Sequence, residues 1–413
     1  MEVKRASPSG HRGRHSVAAA SRAYAFIADA VSVLTDGPAF GGRLQDIATV
    51  RRNFDGPILA KDFIVDPRQV AEARRFGADA VLAILSVLDD AAAAAVLREA
   101  ERMGMDVIVE VHGRAELKRA AALGAGIVGI NNRDLKTLAT DLDTTRRLAA
   151  EVPAGTLVVS ESGIRTRGDV KALAPMVDGF LVGSALMAAP NIGEEARALV
   201  HGRVKVCGLT REQDVAAAAV CGATHAGLVL VPGTPRAVDV NGARPLARTA
   251  AAFGMKRVGI FRDATNADVL SAAEQLQLDV VQLHGREPDS QVAELRAALG
   301  TTAEVWAVCP VGDAPAEVRG SASRTVFDTA MRGRCGGTGR SFDWARLRGR
   351  PRLGDAVLAG GIRPANAAAA DAVGMHALDI GSGVEARPGV KDRAKLRAVF
   401  SALRPLDRSS RCA

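Results

Sequence analysis

Two consecutive (β/α)8 TIM barrels, the first truncated at its N-terminus, are the fold class this sequence predicts. Short apolar β-type runs alternate with Ala-, Arg- and Glu-rich stretches of helical spacing, and strands alternating with helices build a parallel sheet. Each half of the chain carries eight such runs, which suits a closed barrel better than an open doubly wound sheet. The series runs out near Leu199 and starts afresh at Val204–Thr210 (VKVCGLT).

Size and composition agree. At 413 residues the chain exceeds what one core usually organises. Aromatics make up only 3%, while Ala, Val, Leu and Gly abound, as suits a parallel sheet packed closely by helices. No apolar run reaches the ~18 residues that span a bilayer, and MEVKRASPSG lacks the apolar centre of a signal peptide. The five cysteines, Cys207, Cys221, Cys309, Cys335 and Cys412, form no C-x-x-C pair. No metal and no disulfide framework is expected, and a reducing cytoplasm fits. The net charge of +8 comes from scattered arginines without an aromatic-studded basic block. It favours anionic small-molecule substrates over nucleic acid.

In the first series the β-type runs are Val3–Lys4, Ala30–Leu34, Ile58–Ile64, Ala80–Leu85, Asp106–Val111, Ile127–Asn131, Leu157–Glu161 and Gly179–Ser184. Helical spacing marks Asp66–Phe76 and Asp89–Met103 between them. No G-x-G-x-x-G follows the first strand, which argues against a dinucleotide cofactor. Chemistry in such a barrel sits where strands end. Those ends carry Glu2 and Lys4, Lys61, Glu110, Asn131 and Glu161. One such charge alone reads as a solvated rim residue, but the succession reads as acid and base groups converging on one mouth. Ser7, Ser162, Gly163, Gly183 and Ser184 are small, backbone-exposing residues suited to a phosphate cradle.

The ordered motifs KRASPSG, SVLTD, KDFIVDP, SVLDD, GINNRDL, SESGI and GSALM resemble the indole-3-glycerol-phosphate synthase family over nearly all of residues 1–190. That resemblance implies Lys61 as the general acid in ring closure and Glu110 as acid or base in dehydration. Lys4 would contact the substrate carboxylate. Glu2, Asn131 and Glu161 would shape the site, and Ser7, Gly163, Gly183 and Ser184 would hold the phosphate. Family members carry a helical extension before the E-x-K strand, whereas here Met1 directly precedes Glu2. A start placed too far downstream and a genuine truncation both explain this, and the intact motifs favour the former. Weaker stability and reduced synthase activity are expected of the chain as it stands.

Asn191–Val200 has helical spacing and closes the first series, so the domains are expected at 1–200 and 201–413. The second series has β-type runs at Val204–Cys207, His225–Val231, Lys256–Phe261, Asp279–Leu283, Val305–Pro310, Thr325–Asp328, Ala356–Gly360 and Ala377–Ile380. Cys207 ends the first of these and Asp328 the sixth. A thiolate and a carboxylic acid at one mouth suit proton transfer between adjacent carbons. Cys221 and Cys309 read as buried small apolar residues. Glycine clusters at 336–339, 360–361 and 381–383 read singly as turns and together as a phosphate site. Arg236 is either a surface residue or a bidentate partner for a carboxylate.

KVCGLT, GLVLVPGTPR, GIF, VQLHG, FDT with GGTG and SFDW, LAGGI, and LDIGSGVE with PGVKD resemble the phosphoribosylanthranilate isomerase family over about 204–402. The resemblance implies Cys207 as general base, Asp328 as general acid, Arg236 on the anthranilate carboxylate and His284 lining the site. Gly337, Gly339, Gly361, Gly381 and Ser382 would bind phosphate, with Asp379 supporting the last loop. The two resemblances together imply a bifunctional enzyme of tryptophan biosynthesis, without cofactor or metal, acting on anionic sugar phosphates as a monomer. A pair of isomerase barrels like those of histidine synthesis would instead place aspartates at strands one and five. A further alternative leaves only the isomerase active, with the first barrel a non-catalytic scaffold or binding module.

Overall fold

The computed structural model describes residues 1–7, 10, 13–312, 317–331, 334–335, 341–347, 349–350 and 352–405. Gly337 and Gly339 lie outside them. Met1–Leu199 and Val200–Arg404 are two compact units, and each is organised around its own parallel sheet.

Helices form where a cap meets an apolar stripe. Asp66 caps helix Pro67–Arg75, accepting from the Arg68 N–H while Gln69 reaches back to the Asp66 N–H. Proline stands in the first turn, where its missing N–H is no loss. Asp89 accepts from the Ala92 N–H to start helix Asp90–Arg102. Ala93, Val96 and Ala100 share its buried face, at the spacing that turns one stripe toward a sheet. The expected spans Asp66–Phe76 and Asp89–Met103 thus included the caps at both ends.

The first unit contains β1 (Glu2–Val3), β2 (Val31–Leu34), β3 (Ile58–Lys61), β4 (Ala80–Ile84), β5 (Asp106–Val111), β6 (Ile127–Asn131), β7 (Leu157–Glu161) and β8 (Gly179–Leu181), each parallel to the next. The Glu2 N–H donates to the Val182 carbonyl at 2.8 Å. That bond joins the two ends of the sheet and nearly closes the barrel. β8 stops before the expected Ser184 because Gly183 caps a new helix, Ser184–Ala188.

In the second unit β9 (Arg203–Cys207), β10 (His225–Val229), β11 (Lys256–Phe261), β12 (Val280–Leu283), β13 (Glu304–Val311) and β14 (Arg324–Met331) are followed by the short β15 (Arg334–Cys335). β16 (Val357–Leu358) and β17 (Ala377–Ile380) complete the circuit, and β17 pairs with β9 to close it. β15 folds back antiparallel on β14, which carries β14 past the expected Asp328. β16 is shorter than expected because Gly360 and Gly361 have φ of +87° and +66°, which no strand holds. A separate hairpin, β18 (Glu385–Arg387) and β19 (Val390–Lys391), follows β17. Alternate strand residues, among them Ile260, Trp306, Val326 and Val357, pack together inside the barrel. The opposite strand faces pack on the helices in a second, larger cluster. Cys221 and Cys309 lie half-buried against that cluster. No helix of the described residues is long and apolar enough to cross a membrane.

The strand starts of this barrel hold two imidazoles among cations. Burial, then Lys256, His376 and Arg203, keep His225 well below the usual imidazole value. Burial, then Arg324 and Arg203, push His376 down to about 4. Both rings bind a proton more readily in the unfolded chain, near 6.5. Their contribution is therefore full above pH 6.5 and is lost as pH falls toward 4. The chain's two tryptophans, Trp306 and Trp344, both lie in this unit, so fluorescence reports its unfolding. The urea midpoint is expected to fall between pH 7 and pH 5, and His376→Gln to recover part of the loss. A midpoint independent of pH over that range contradicts the assignment.

Candidate active sites

Strand β3 delivers Lys61 to the mouth of the first barrel, β5 Glu110, β6 Asn131 and β7 Glu161. Lys61 Nζ lies 2.7 Å from Glu161 Oε2 and 3.1 Å from Glu110 Oε2. The Asn131 amide donates to Glu110 Oε1 at 3.0 Å. Beside them Lys4 Nζ pairs with Glu2 Oε1 at 3.0 Å. Glu110 and Glu161 are fully buried, and glycines make the room. A Cβ at Gly129 would run into the Glu161 carboxylate, and one at Gly183 into the Glu2 carboxylate. Ser162 and Gly163 form a left-handed turn after β7, at φ +64° and +81°. Gly183 and Ser184 follow β8, and Ser7 lies in the loop after β1.

The environments of the two carboxylates drive them apart. Burial works to raise Glu110, but Lys61, the Asn131 amide and His112 outweigh it and hold the carboxyl below its ordinary value. Burial, reinforced by Glu110 and Glu2 against the pull of Lys61, pushes Glu161 up to about 7. Burial opposes the Lys61 ammonium too, yet Glu161, Glu110 and Glu2 hold its proton above the ordinary lysine value. One ionised carboxylate, one carboxyl titrating near neutrality and a firm ammonium form an acid–base set.

In the second barrel a cavity of about 620 Å³ opens at the strand ends. Cys207, Arg236, His284, Asp328, Gly361, Gly381 and Ser382 all line it, every isomerase-site candidate among the described residues. Cys207 ends β9, while Asp328 lies on β14 beside His284, with Oδ2 3.4 Å from Nε2. The Thr329 N–H donates to Asp328 Oδ1 at 2.7 Å. A Cβ at Gly360 would strike the Thr329 hydroxyl and come within 2.9 Å of Asp328 Oδ1. The two glycine loops press together, since a Cβ at Gly383 would overlap the Ile362 carbonyl. Among the described residues no group of three or more His, Cys, Asp or Glu could hold a metal ion.

Arg236 differs from its expected geometry. Its Nε and Nη2 already donate to Glu385, at 2.9 and 2.6 Å, and Glu385 also accepts from Lys391 Nζ at 2.8 Å. The fork expected to grip a carboxylate is thus occupied within the protein, leaving Nη1 for a ligand. Asp379 also departs from a loop-supporting role: its Oδ2 meets Lys205 Nζ at 2.6 Å inside the barrel.

Sequence reasoning passed over several residues. His112 stands two positions after Glu110, with Nε2 3.4 Å from Glu110 Oε1 and Nδ1 3.2 Å from Glu116. Asn132 ties the ends of β6 and β7 together, its amide donating to Ser160 Oγ and to the Glu161 carbonyl. Lys205 stands two positions before Cys207. The two-residue period of a strand could have found His112 and Lys205, since alternate residues share a face. No local signal marks Glu385, whose partner Arg236 is 149 positions away.

Parallel barrels with buried acid–base groups and glycine turns at their strand ends define barrel enzymes for small anionic substrates, and this chain carries two such sites. Residues 1–199 match the indole-3-glycerol phosphate synthase family and residues 204–402 the N-(5'phosphoribosyl)anthranilate isomerase family. The tryptophan biosynthesis protein TrpCF of Salmonella typhi is 43% identical over 407 residues, covering 98% of this chain and 88% of that one. Its counterpart in Yersinia pestis is 42% identical over 407 residues, covering 98% and 84%. A solved phosphoribosyl anthranilate isomerase from Thermus thermophilus is 36% identical and covers 49% of this chain and 98% of its own, with a TM-score of 0.43. The chain belongs to the TrpCF family of bifunctional tryptophan biosynthesis enzymes, with a synthase and an isomerase domain.

The charge network of the first barrel predicts a pH-dependent cost. Lys61→Met leaves Glu110 and Glu161 buried without their cation. That is expected to destabilise the first unit by about 3–5 kcal/mol near pH 8. Protonation relieves the repulsion, so the loss should shrink toward pH 5. Urea unfolding followed by far-UV circular dichroism checks this, and a loss of the same size at both pH values contradicts it.

Proposed function

We propose that residues 201–413 act first, isomerising N-(5-phosphoribosyl)anthranilate, and that residues 1–200 convert the product to indole-3-glycerol phosphate. Asp328 protonates the ribose ring oxygen and opens the ring to a Schiff base. Cys207 removes the C2′ proton, and the enolamine tautomerises to 1-(2-carboxyphenylamino)-1-deoxyribulose 5-phosphate. The observation carrying this half is that Cys207 and Asp328, from β9 and β14, line one cavity together with the glycine loops after β16 and β17. Those loops, with Gly337 and Gly339, take the phosphate. Nη1 of Arg236 serves the anthranilate carboxylate, and His284 lies against the reacting sugar.

In the synthase half Lys61 donates to the carbonyl oxygen as the aromatic carbon attacks. Two carboxylates hold its ammonium, so the proton becomes available only when substrate displaces one of them. Carbon dioxide then leaves, and Glu110 assists the loss of water. Asn131 orients Glu110, and Glu161 orients Lys61. Lys4, set by Glu2, meets the substrate carboxylate. Ser7, Ser162, Gly163, Gly183 and Ser184 receive the phosphate. The buried Lys61–Glu110–Glu161 set supports this half, and each proposed site draws its residues from one unit, which is consistent with a monomer. A cytoplasmic location accords with a biosynthetic role.

Single substitutions separate the halves. Cys207→Ser and Asp328→Asn are each expected to lower isomerase turnover by roughly a hundredfold or more, as for loss of a general acid or base, and to leave the synthase rate unchanged. Glu110→Gln is expected to do the reverse. Steady-state assays with each half's own substrate check this. Retention of both activities in any of the three overturns the role of that residue, and an unsubstituted chain with isomerase but no synthase activity supports the scaffold alternative.

A further inference from the structure

Lys205 has no task in the mechanism above, yet its placement is costly. It lies on β9 inside the second barrel, and its side chain is fully buried. A buried ammonium costs several kcal/mol unless it is met by opposite charge. Asp379 on β17 is its register partner, and Oδ2 meets Nζ at 2.6 Å. Only one carboxylate oxygen is used, and Asp379 Oδ1 is buried without a hydrogen-bond partner among the described residues.

Two positions along the same strand, on the same face, stands Cys207. The register partner of Cys207 on β10 is Gly227, where a Cβ would lie 3.0 Å from Lys205 Cε and 3.3 Å from Cys207 Sγ. The side chain that glycine lacks leaves room there for both the lysine stem and the sulfur. Burial opposes the Lys205 ammonium, but Asp379 first and Cys207 second more than compensate and hold its proton above the ordinary lysine value.

Other charges face Cys207 as well. Lys391 Nζ donates to the Cys207 carbonyl rather than to its sulfur, at 2.6 Å, and Lys391 and Arg236 share the single carboxylate of Glu385. Across the cavity stand His284 and Asp328. Lys205 is the cation whose stem lies beside the sulfur, the two flanking the space that Gly227 leaves.

We infer that Lys205 is a positioning residue of the isomerase reaction: its ammonium, fixed by Asp379, holds Cys207 as the thiolate that takes the C2′ proton. The C2′–H bond breaks, its electron pair runs into the Schiff base, and the proton ends on sulfur. Lys205 keeps its own proton throughout. Asp379 balances the lysine charge once the thiolate has been neutralised, which explains a carboxylate in contact with the lysine. The inference rests on Cys207 being the base.

The test joins kinetics to peptide-resolved alkylation of Cys207 by iodoacetamide, since the thiolate is the reactive form. In Lys205→Met, isomerase kcat/KM and Cys207 alkylation at pH 7 should both fall roughly ten- to a hundredfold, about one or two pH units of thiolate population. Both losses should shrink by pH 9, with KM little changed and the synthase rate intact. The double variant Lys205→Met/Asp379→Asn removes the orphaned carboxylate and should show the same slow alkylation. A folded variant of either kind that alkylates as fast as the unsubstituted chain overturns the inference. The unsubstituted chain gives an independent reading: Cys207 should outpace glutathione at least tenfold at pH 6.5. A rate equal to that of glutathione overturns the inference even if both variants unfold. Cys207→Ser separates the two levels, because isomerase activity surviving in it removes the base assignment itself. Loss of activity there, with unaltered Cys207 reactivity in Lys205→Met, removes only the role of Lys205.

Discussion

A charged group can stand inside a closed barrel only where an opposite charge meets it, because water has been removed from around both. In the first unit Lys61 meets Glu110 and Glu161. In the second, Lys205 meets Asp379. Each ammonium arrives on one strand and its carboxylate on another, so the charges compensate only when the strands hold register. The reacting groups and the closure of the sheet therefore depend on one another. The pairing also prepares the chemistry, since neighbouring charges separate the proton affinities of groups that would otherwise be alike. Glu110 and Glu161 are both buried glutamates, yet one is held ionised and the other titrates near neutrality.

Space is the second constraint. The mouth of an eight-stranded barrel is narrow, and a carboxylate or ammonium there displaces whatever the facing strand would carry. Gly129 and Gly183 leave room for Glu161 and Glu2, Gly227 for Lys205 and Cys207, and Gly360 for Asp328. These glycines act through the side chain they lack. Gly360 adds a positive φ that ends its strand, so one residue both stops β16 and admits the acid.

Much of this was legible in the sequence because parallel strands announce themselves. β5, β6, β7, β11 and β17 coincide with their expected runs, since each is a short, mostly apolar stretch of β-type residues. The convergence of Lys61, Glu110, Asn131 and Glu161 was legible for a related reason: each is the last or next-to-last residue of its strand, and strand ends share one rim. What was not legible depends on contacts distant along the chain. Nothing near Arg236 shows that Glu385 will occupy its fork. Nothing near Asp379 shows that it turns inward to Lys205 rather than bracing its own loop. The length of β14 was hidden too, because its extension depends on a hairpin partner rather than on local composition.

Two separate acid–base sites on one chain are thus proposed to perform consecutive steps. The most direct measurement supplies N-(5-phosphoribosyl)anthranilate to the 413-residue chain and follows the ketose intermediate and indole-3-glycerol phosphate over time. The ketose is expected to rise first and then decline as indole-3-glycerol phosphate forms. Ketose that accumulates without any indole-3-glycerol phosphate would contradict this, and would leave the first barrel with a buried charge network that does no chemistry.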